Sequence, residues 1–135
     1  MTIIDEIYSD FLFSNNAAIV SDGGIKEAGD AAKAFACGAE YVMIGSLFSK
    51  AREAECNLNG NGIFYGGAST YAKELLGLNK NHIEGSGELV EKSSIAPLES
   101  IVKKITDGIK SSISYSGYES LEEYIGNGFF EMKNF

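Results

Sequence analysis

Apolar residues follow two spacings along this chain, and the two alternate. Ile3, Ile4, Ile7, Tyr8, Phe11 and Leu12 recur close to every 3.6 residues, so residues 2–13 are expected to be helical. Thr2 is placed to cap that helix with Asp5 in its third position, and Ser14-Asn15-Asn16 ends it. Residues 17–21, AAIVS, are short, apolar and β-branched, the pattern of a buried strand. Asp22-Gly23-Gly24 makes a sharp turn, and a helix over residues 30–37 stops at Gly38. Tyr41-Val42-Met43-Ile44 reads as a second buried strand. Gly45-Ser46 closes it, and residues 47–54 are expected to be helical.

Apolar strands separated by helices imply a parallel sheet covered on both faces. Both strand-to-helix turns then lie at the C-terminal ends of the strands, where α/β proteins bind ligands.

The second half is less regular. Residues 56–68, CNLNGNGIFYGGA, read as a loop, and Ser69 or Thr70 caps a helix through Leu76 that Gly77 closes. Residues 78–97 read as an extended loop with a short β-ribbon near 88–90. Leu98, Ile101, Val102, Ile105, Ile109 and Ile113 mark a long amphipathic helix, a core or interface stripe rather than a site. Ser120-x-x-Glu123 is a capping box for one more short helix with Leu121, Tyr124 and Ile125 inward, and residues 129–132 read as a last strand.

Composition narrows the possible chemistry. The 135 residues suit one domain and are about half of a full (β/α)8 barrel of ~250 residues. Eleven Lys and Arg against 19 Asp and Glu give a net charge of −8, which argues against a nucleic-acid surface. Arg52 is the only arginine, so a bound phosphate would rest mainly on backbone N–H groups. No run approaches the ~18 apolar residues of a membrane span, and the acidic start is not a secretory leader. Cys37 and Cys56 make no disulfide framework, which points to a reducing cytoplasm.

Residues 21–48, SDGGIKEAGDAAKAFACGAEYVMIGSLF, resemble the IMP dehydrogenase / GMP reductase family without a gap. FYGGAS at 64–69 looks like the FYGMSS of GMP reductases, and IEG at 83–85 looks like their SEG. ITDGIKSSISYSGYESLEEY at 105–124 looks like their final helix-turn-helix. The resemblance covers about residues 3–132. IMP dehydrogenases carry an Arg-Tyr pair in a longer flap; none is present here, so the resemblance is nearer GMP reductase. An IMP dehydrogenase fragment, or a non-catalytic remnant that binds purine nucleotides or a full-length relative, are the alternatives.

The resemblance implies an α/β fold, with residues 1–135 as a single partial TIM-barrel domain. That part holds strands seven and eight of the (β/α)8 barrel, with helices on either side. It implies an oxidoreductase that uses NADPH to convert GMP, with loss of its 2-amino group, to IMP. The family's nucleophilic cysteine stands in a Gly-Ser-x-Cys-x-Thr loop that nothing here matches. Its partner threonine and the potassium ligands of that loop are absent too, so no metal site is expected and this chain alone is not expected to catalyse.

By resemblance, Asp22 binds ribose hydroxyls, while Gly23, Gly24, Gly45 and Ser46 cradle the phosphate. Residues alone fit a plain turn with a helix-capping Asp equally well. Gly66, Gly67 and Ala68 would offer main-chain groups to the purine, with Gly67 in place of the usual Met. Phe64 or Tyr65 could approach the phosphate, though aromatic core packing is the commoner use. Asn81, His82, Ile83, Glu84 and Gly85 would contact the cofactor, with Lys80 a substitute for the Arg that reductases carry at Asn81. Glu84 is the catalytic candidate for proton transfer, and reads as readily as a solvated carboxylate. A complementary barrel fragment or a homo-oligomer is the expected partner.

Overall fold

The computed structural model describes residues 4, 6–8, 17–58, 62–78, 85 and 88–128. In chain order they form β1 (Val20–Asp22), α1 (Ala28–Ala36), β2 (Tyr41–Met43), a 3-10 turn (Phe48–Lys50), α2 (Glu55–Leu58) and β3 (Ile63–Phe64). There follow α3 (Thr70–Leu75), β4 (Glu88–Leu89), a 3-10 turn (Lys92–Ser94), α4 (Leu98–Tyr115) and α5 (Leu121–Tyr124). They gather into two compact units, one of Met1–Gly45 with Val102–Phe135 and one of Ser46–Ile101.

In the first unit β1 and β2 pair in parallel, Val20 opposite Tyr41, Ser21 opposite Val42 and Asp22 opposite Met43. The connection between them is α1, as a parallel pair requires. Its alanines let it pack closely: Ala31, Ala34, Phe35 and Ala36 are buried with Ile25, Ala39, Ile113 and Tyr124. Val42 of β2 and the flanking Ile19 and Ile44 pack against this cluster, as do Ile109, Leu121 and Ile125. Gly108 of α4 faces Ala28 of α1, where a Cβ would collide with the alanine side chain. Ile4 and Glu6–Tyr8 are helical, as expected, while Thr2 and Asp5 lie outside the described residues. The Tyr8 ring fills a notch between Gly38 and Gly126, both in the left-handed region at φ 107° and 73°.

The strands depart from expectation in extent and in cover: β1 is Val20–Asp22, where a strand over 17–21 is expected. A parallel strand is normally covered on both faces, but here the described residues pack on one face only. Val20, Tyr41 and Met43 stay 49%, 61% and 55% exposed, because the core residues pack on the opposite face.

In the second unit, the helix expected over 47–54 is only the 3-10 turn Phe48–Lys50. The reason is competition for its carbonyls: the Asn57 amide donates to the Ser49 oxygen at 2.7 Å and to the Ala51 oxygen at 2.6 Å. Ala51 turns extended and bridges Ala96, with Arg52 N–H donating to the Ala96 carbonyl at 2.8 Å. The stretch 56–68, expected to be a loop, instead holds most of α2 and all of β3. β3 pairs antiparallel with β4, Ile63 opposite Leu89 and Phe64 opposite Glu88. β4 falls within the ribbon expected near 88–90.

The remaining helices follow their caps. Ser69 Oγ accepts the Ala72 N–H at 3.2 Å, and α3 ends at Leu76 before Gly77 at φ 64°. The Leu98 N–H at the start of α4 donates to the Glu53 carboxylate at 2.9 Å, and Ile101, Ile105 and Ile113 are buried. Ser120 Oγ accepts the Glu123 N–H at 3.2 Å, but the Glu123 carboxylate accepts from Glu119 N–H at 3.1 Å, one residue before the cap. The strand expected over 129–132 lies outside the described residues.

Candidate functional site

Strand register decides which candidates meet. With Asp22 opposite Met43, the turn after β1 and Gly45 after β2 stand side by side at the C-terminal end of the sheet. Asp22, Gly23, Gly24 and Gly45 are all exposed. Gly23 and Gly24 take φ 88° and 76°, which favours glycine, and nothing lies within 4 Å of where a Cβ would sit. The turn therefore needs glycine for its backbone path rather than for lack of room, and its approach is open. The Asp22 carboxylate is acceptor-only and has two oxygens, enough for a vicinal diol.

The far end of this turn is pinned. Ile25 is buried at 6% exposure. One carboxylate oxygen of Asp30 accepts the N–H groups of Lys26 at 3.1 Å and Glu27 at 3.2 Å. Those bonds, the one from Lys26 foremost, hold the Asp30 carboxyl below its ordinary value of 3.8. Lys33 adds a surface ion pair at 3.4 Å. Asp30 is thus a positioning residue, where the sequence pattern predicts only the start of a helix. Its signal was available: an acid three residues past Glu27, at the mouth of a helix.

Ser46 opens the second unit, and its carbonyl accepts Ser49 Oγ at 2.7 Å. Within that unit, Gly66 and Gly67 are exposed, with open space where each Cβ would lie. The Ser69 N–H donates to the Gly66 carbonyl at 3.0 Å, which closes the Gly66-Gly67-Ala68 turn. The Thr70 N–H donates to the Gly85 carbonyl at 3.2 Å, so Gly85 lies beside the start of α3. Gly85 is the one described residue of the cofactor set, and it stands near the Gly66-Gly67-Ala68 turn through Thr70. Tyr65 and Tyr71 flank the turn with ring centroids 4.9 Å apart, and Tyr71 is a neighbour the sequence reading did not single out. Lys80, Asn81, His82, Ile83 and Glu84 lie outside the described residues.

Neither cysteine stands at the strand ends. Cys37 is buried at the C-terminal cap of α1, and Cys56 points its thiol at the Ser49 carbonyl, 3.6 Å away. Among the described residues no cluster of His, Cys, Asp and Glu is grouped to hold a metal ion.

The chain is similar to known proteins. A model of the IMP dehydrogenase / GMP reductase domain matches residues 2–133. A GMP reductase of Mycoplasma mycoides subsp. mycoides SC is 37% identical over 110 residues, which are 77% of this chain and 32% of that protein. A GMP reductase of Caenorhabditis elegans is 35% identical over 114 residues, 80% of this chain and 32% of that protein. The chain thus spans about a third of the length of these relatives. A solved GMP reductase variant from Trypanosoma brucei, in complex with guanosine 5'-monophosphate, superposes with a TM-score of 0.63 at 29% identity, over 78% of this chain and 23% of that one. The strand–turn–helix motif at residues 21–48, the parallel pair it builds and a family match running almost from end to end lead to one conclusion: this chain belongs to the IMP dehydrogenase / GMP reductase family.

Proposed function

We propose that this chain is the nucleotide-binding C-terminal part of a GMP reductase-like purine nucleotide oxidoreductase, a portion of a (β/α)8 barrel with a cytoplasmic setting. The observation that carries this is the pair of open turns at the ends of β1 and β2, one holding an exposed carboxylate and two left-handed glycines. Asp22 accepts from the ribose hydroxyls of GMP or IMP. The N–H groups around Gly23, Gly24, Gly45 and Ser46 take the phosphate, consistent with a single arginine in the chain. Gly66, Gly67 and Ala68 present main-chain groups to the purine. The GMP held by the Trypanosoma brucei relative supports this ligand class.

The reaction implied by the resemblance would move hydride between NADPH and the purine through a covalent adduct on an enzyme cysteine, with the 2-amino group of GMP as the leaving group. Cys37 is buried and Cys56 directs its thiol at a backbone carbonyl, which supports an attacking thiolate supplied from outside residues 1–135. Of the proposed cofactor positions only Gly85 is described, and its carbonyl is engaged by Thr70. No helix among the described residues is long and apolar enough to cross a membrane.

Calorimetry with GMP and guanosine tests this reading. GMP should bind at least tenfold more tightly than guanosine, because the turns serve the phosphate. Equal affinity for the two, or no binding of GMP, contradicts it.

A further inference from the structure

We infer that Lys26 supplies the positive charge that neutralises the nucleotide's phosphate, and so sets the preference for a 5'-monophosphate over a nucleoside. The inference rests on the reading of the strand-end turns as a phosphate cradle, and deepens it by naming the residue that carries the charge.

The cradle has an electrostatic deficit. A phosphate monoester carries roughly −1.5 to −2 charges near neutral pH, and backbone N–H groups answer it only with partial charges. The surroundings are acidic. Asp22 and Glu27 are exposed in the same segment, and the chain as a whole carries −8. Arg52, the single arginine, belongs to the other compact unit. Within residues 22–27 the one cationic side chain is Lys26.

The contacts around Lys26 fix its backbone and leave its ammonium available. Its N–H donates to one carboxylate oxygen of Asp30 at 3.1 Å, and the preceding Ile25 is buried at 6% exposure. The other Asp30 oxygen accepts from the Lys33 ammonium at 3.4 Å. Asp30 therefore holds Lys26 by the main chain and balances its own charge on Lys33. The Lys26 side chain is exposed and makes no ion pair among the described residues. Lys26 also stands close enough. It lies two residues past Gly24, and consecutive Cα atoms are about 3.8 Å apart, so the two Cα atoms are at most ~7.6 Å apart. A flexible four-carbon stem covers that scale. The division of labour suits lysine: main-chain amides set the direction of the phosphate, and a point charge needs no fork geometry.

The test is calorimetry of the full chain with GMP and with guanosine, at low and high salt. The variants are Lys26→Gln, Lys26→Arg and Lys110→Gln, the last removing the same charge from α4. The N–H bonded to Asp30 is a main-chain group, so the Lys26 variants keep it and circular dichroism should not change. Lys26→Gln should weaken GMP at least about tenfold while guanosine stays within about twofold, and the loss of GMP affinity with salt should become shallower. Lys26→Arg and Lys110→Gln should each keep GMP affinity within about threefold of the parent chain. Three results overturn the assignment: an unchanged GMP-to-guanosine ratio in Lys26→Gln, an equal loss in Lys110→Gln, or a Lys26→Arg variant as weak as Lys26→Gln. If the parent prefers GMP and Lys26→Gln prefers it equally, Lys26 falls and the cradle stands. A parent chain without preference for GMP overturns both.

Discussion

Asp22 and Asp30 lie eight positions apart and do opposite work. Asp22 is exposed at a strand end and free to meet a ligand, while Asp30 turns back to hold the loop between them. Asp22→Ala should weaken GMP or IMP binding by ~1–3 kcal/mol, the range of hydrogen bonds to a charged group. Equal affinity by calorimetry removes Asp22 from the site. Asp30 gives a pH dependence of stability. Its folded-state carboxyl is the stronger acid, so its stabilising contribution is present above the unfolded value near 3.8 and is lost as pH falls through the lower folded value. Urea midpoints should show Asp30→Asn less stable than the parent protein at pH 7, with the gap closing below about pH 3.8. A gap that does not narrow as pH falls below 3.8 contradicts the assignment. The cysteines carry a third prediction: the Cys37→Ala, Cys56→Ala variant should keep any NADPH-dependent GMP turnover shown by a reconstituted enzyme. Complete loss with the fold intact would place the nucleophile in this chain. Glycine and acid positions were legible as residue types, but the backbone bonds that make Asp30 a clamp became visible only with the turn's path.

Among the elements, legibility tracked length and cap chemistry. α4 was readable over its whole span because its stripe repeats across several turns, and α3 because Ser69 and Gly77 bracket it. Ser69 is 1% exposed and its hydroxyl is the cap, so Ser69→Ala should cost about 1 kcal/mol of the stability of the second unit, measured by denaturant titration. No measurable change would mean the cap bond is not formed in solution. Elements whose cause is distant in sequence were not legible. The helix expected over 47–54 gives way because Asn57 and Ala96 occupy the carbonyls and amides it needs. β3 is two residues long, too short to show a period of two, and exists through its pairing with residues 88–89. The strands β1 and β2 were readable as strands from their apolar runs. Their open face was not, because a run of apolar residues reports what a face suits rather than what lies against it.

For the whole molecule, the same open face governs solution behaviour. Exposed Val20, Tyr41 and Met43, on strands whose outer edges have no partner among the described residues, should make the isolated chain associate beyond its 14.5 kDa mass, increasingly so as salt screens the net charge of −8. Light scattering that reports a sharply folded monomer at every salt concentration contradicts this. The central claim is that the paired strand-end turns hold a purine nucleotide, and hydrogen–deuterium exchange with and without GMP tests it most directly in whatever assembly forms. The account predicts that GMP slows exchange in peptides covering residues 20–26 and 43–48. Unchanged exchange in both peptides under saturating GMP, with protection appearing elsewhere, would contradict it.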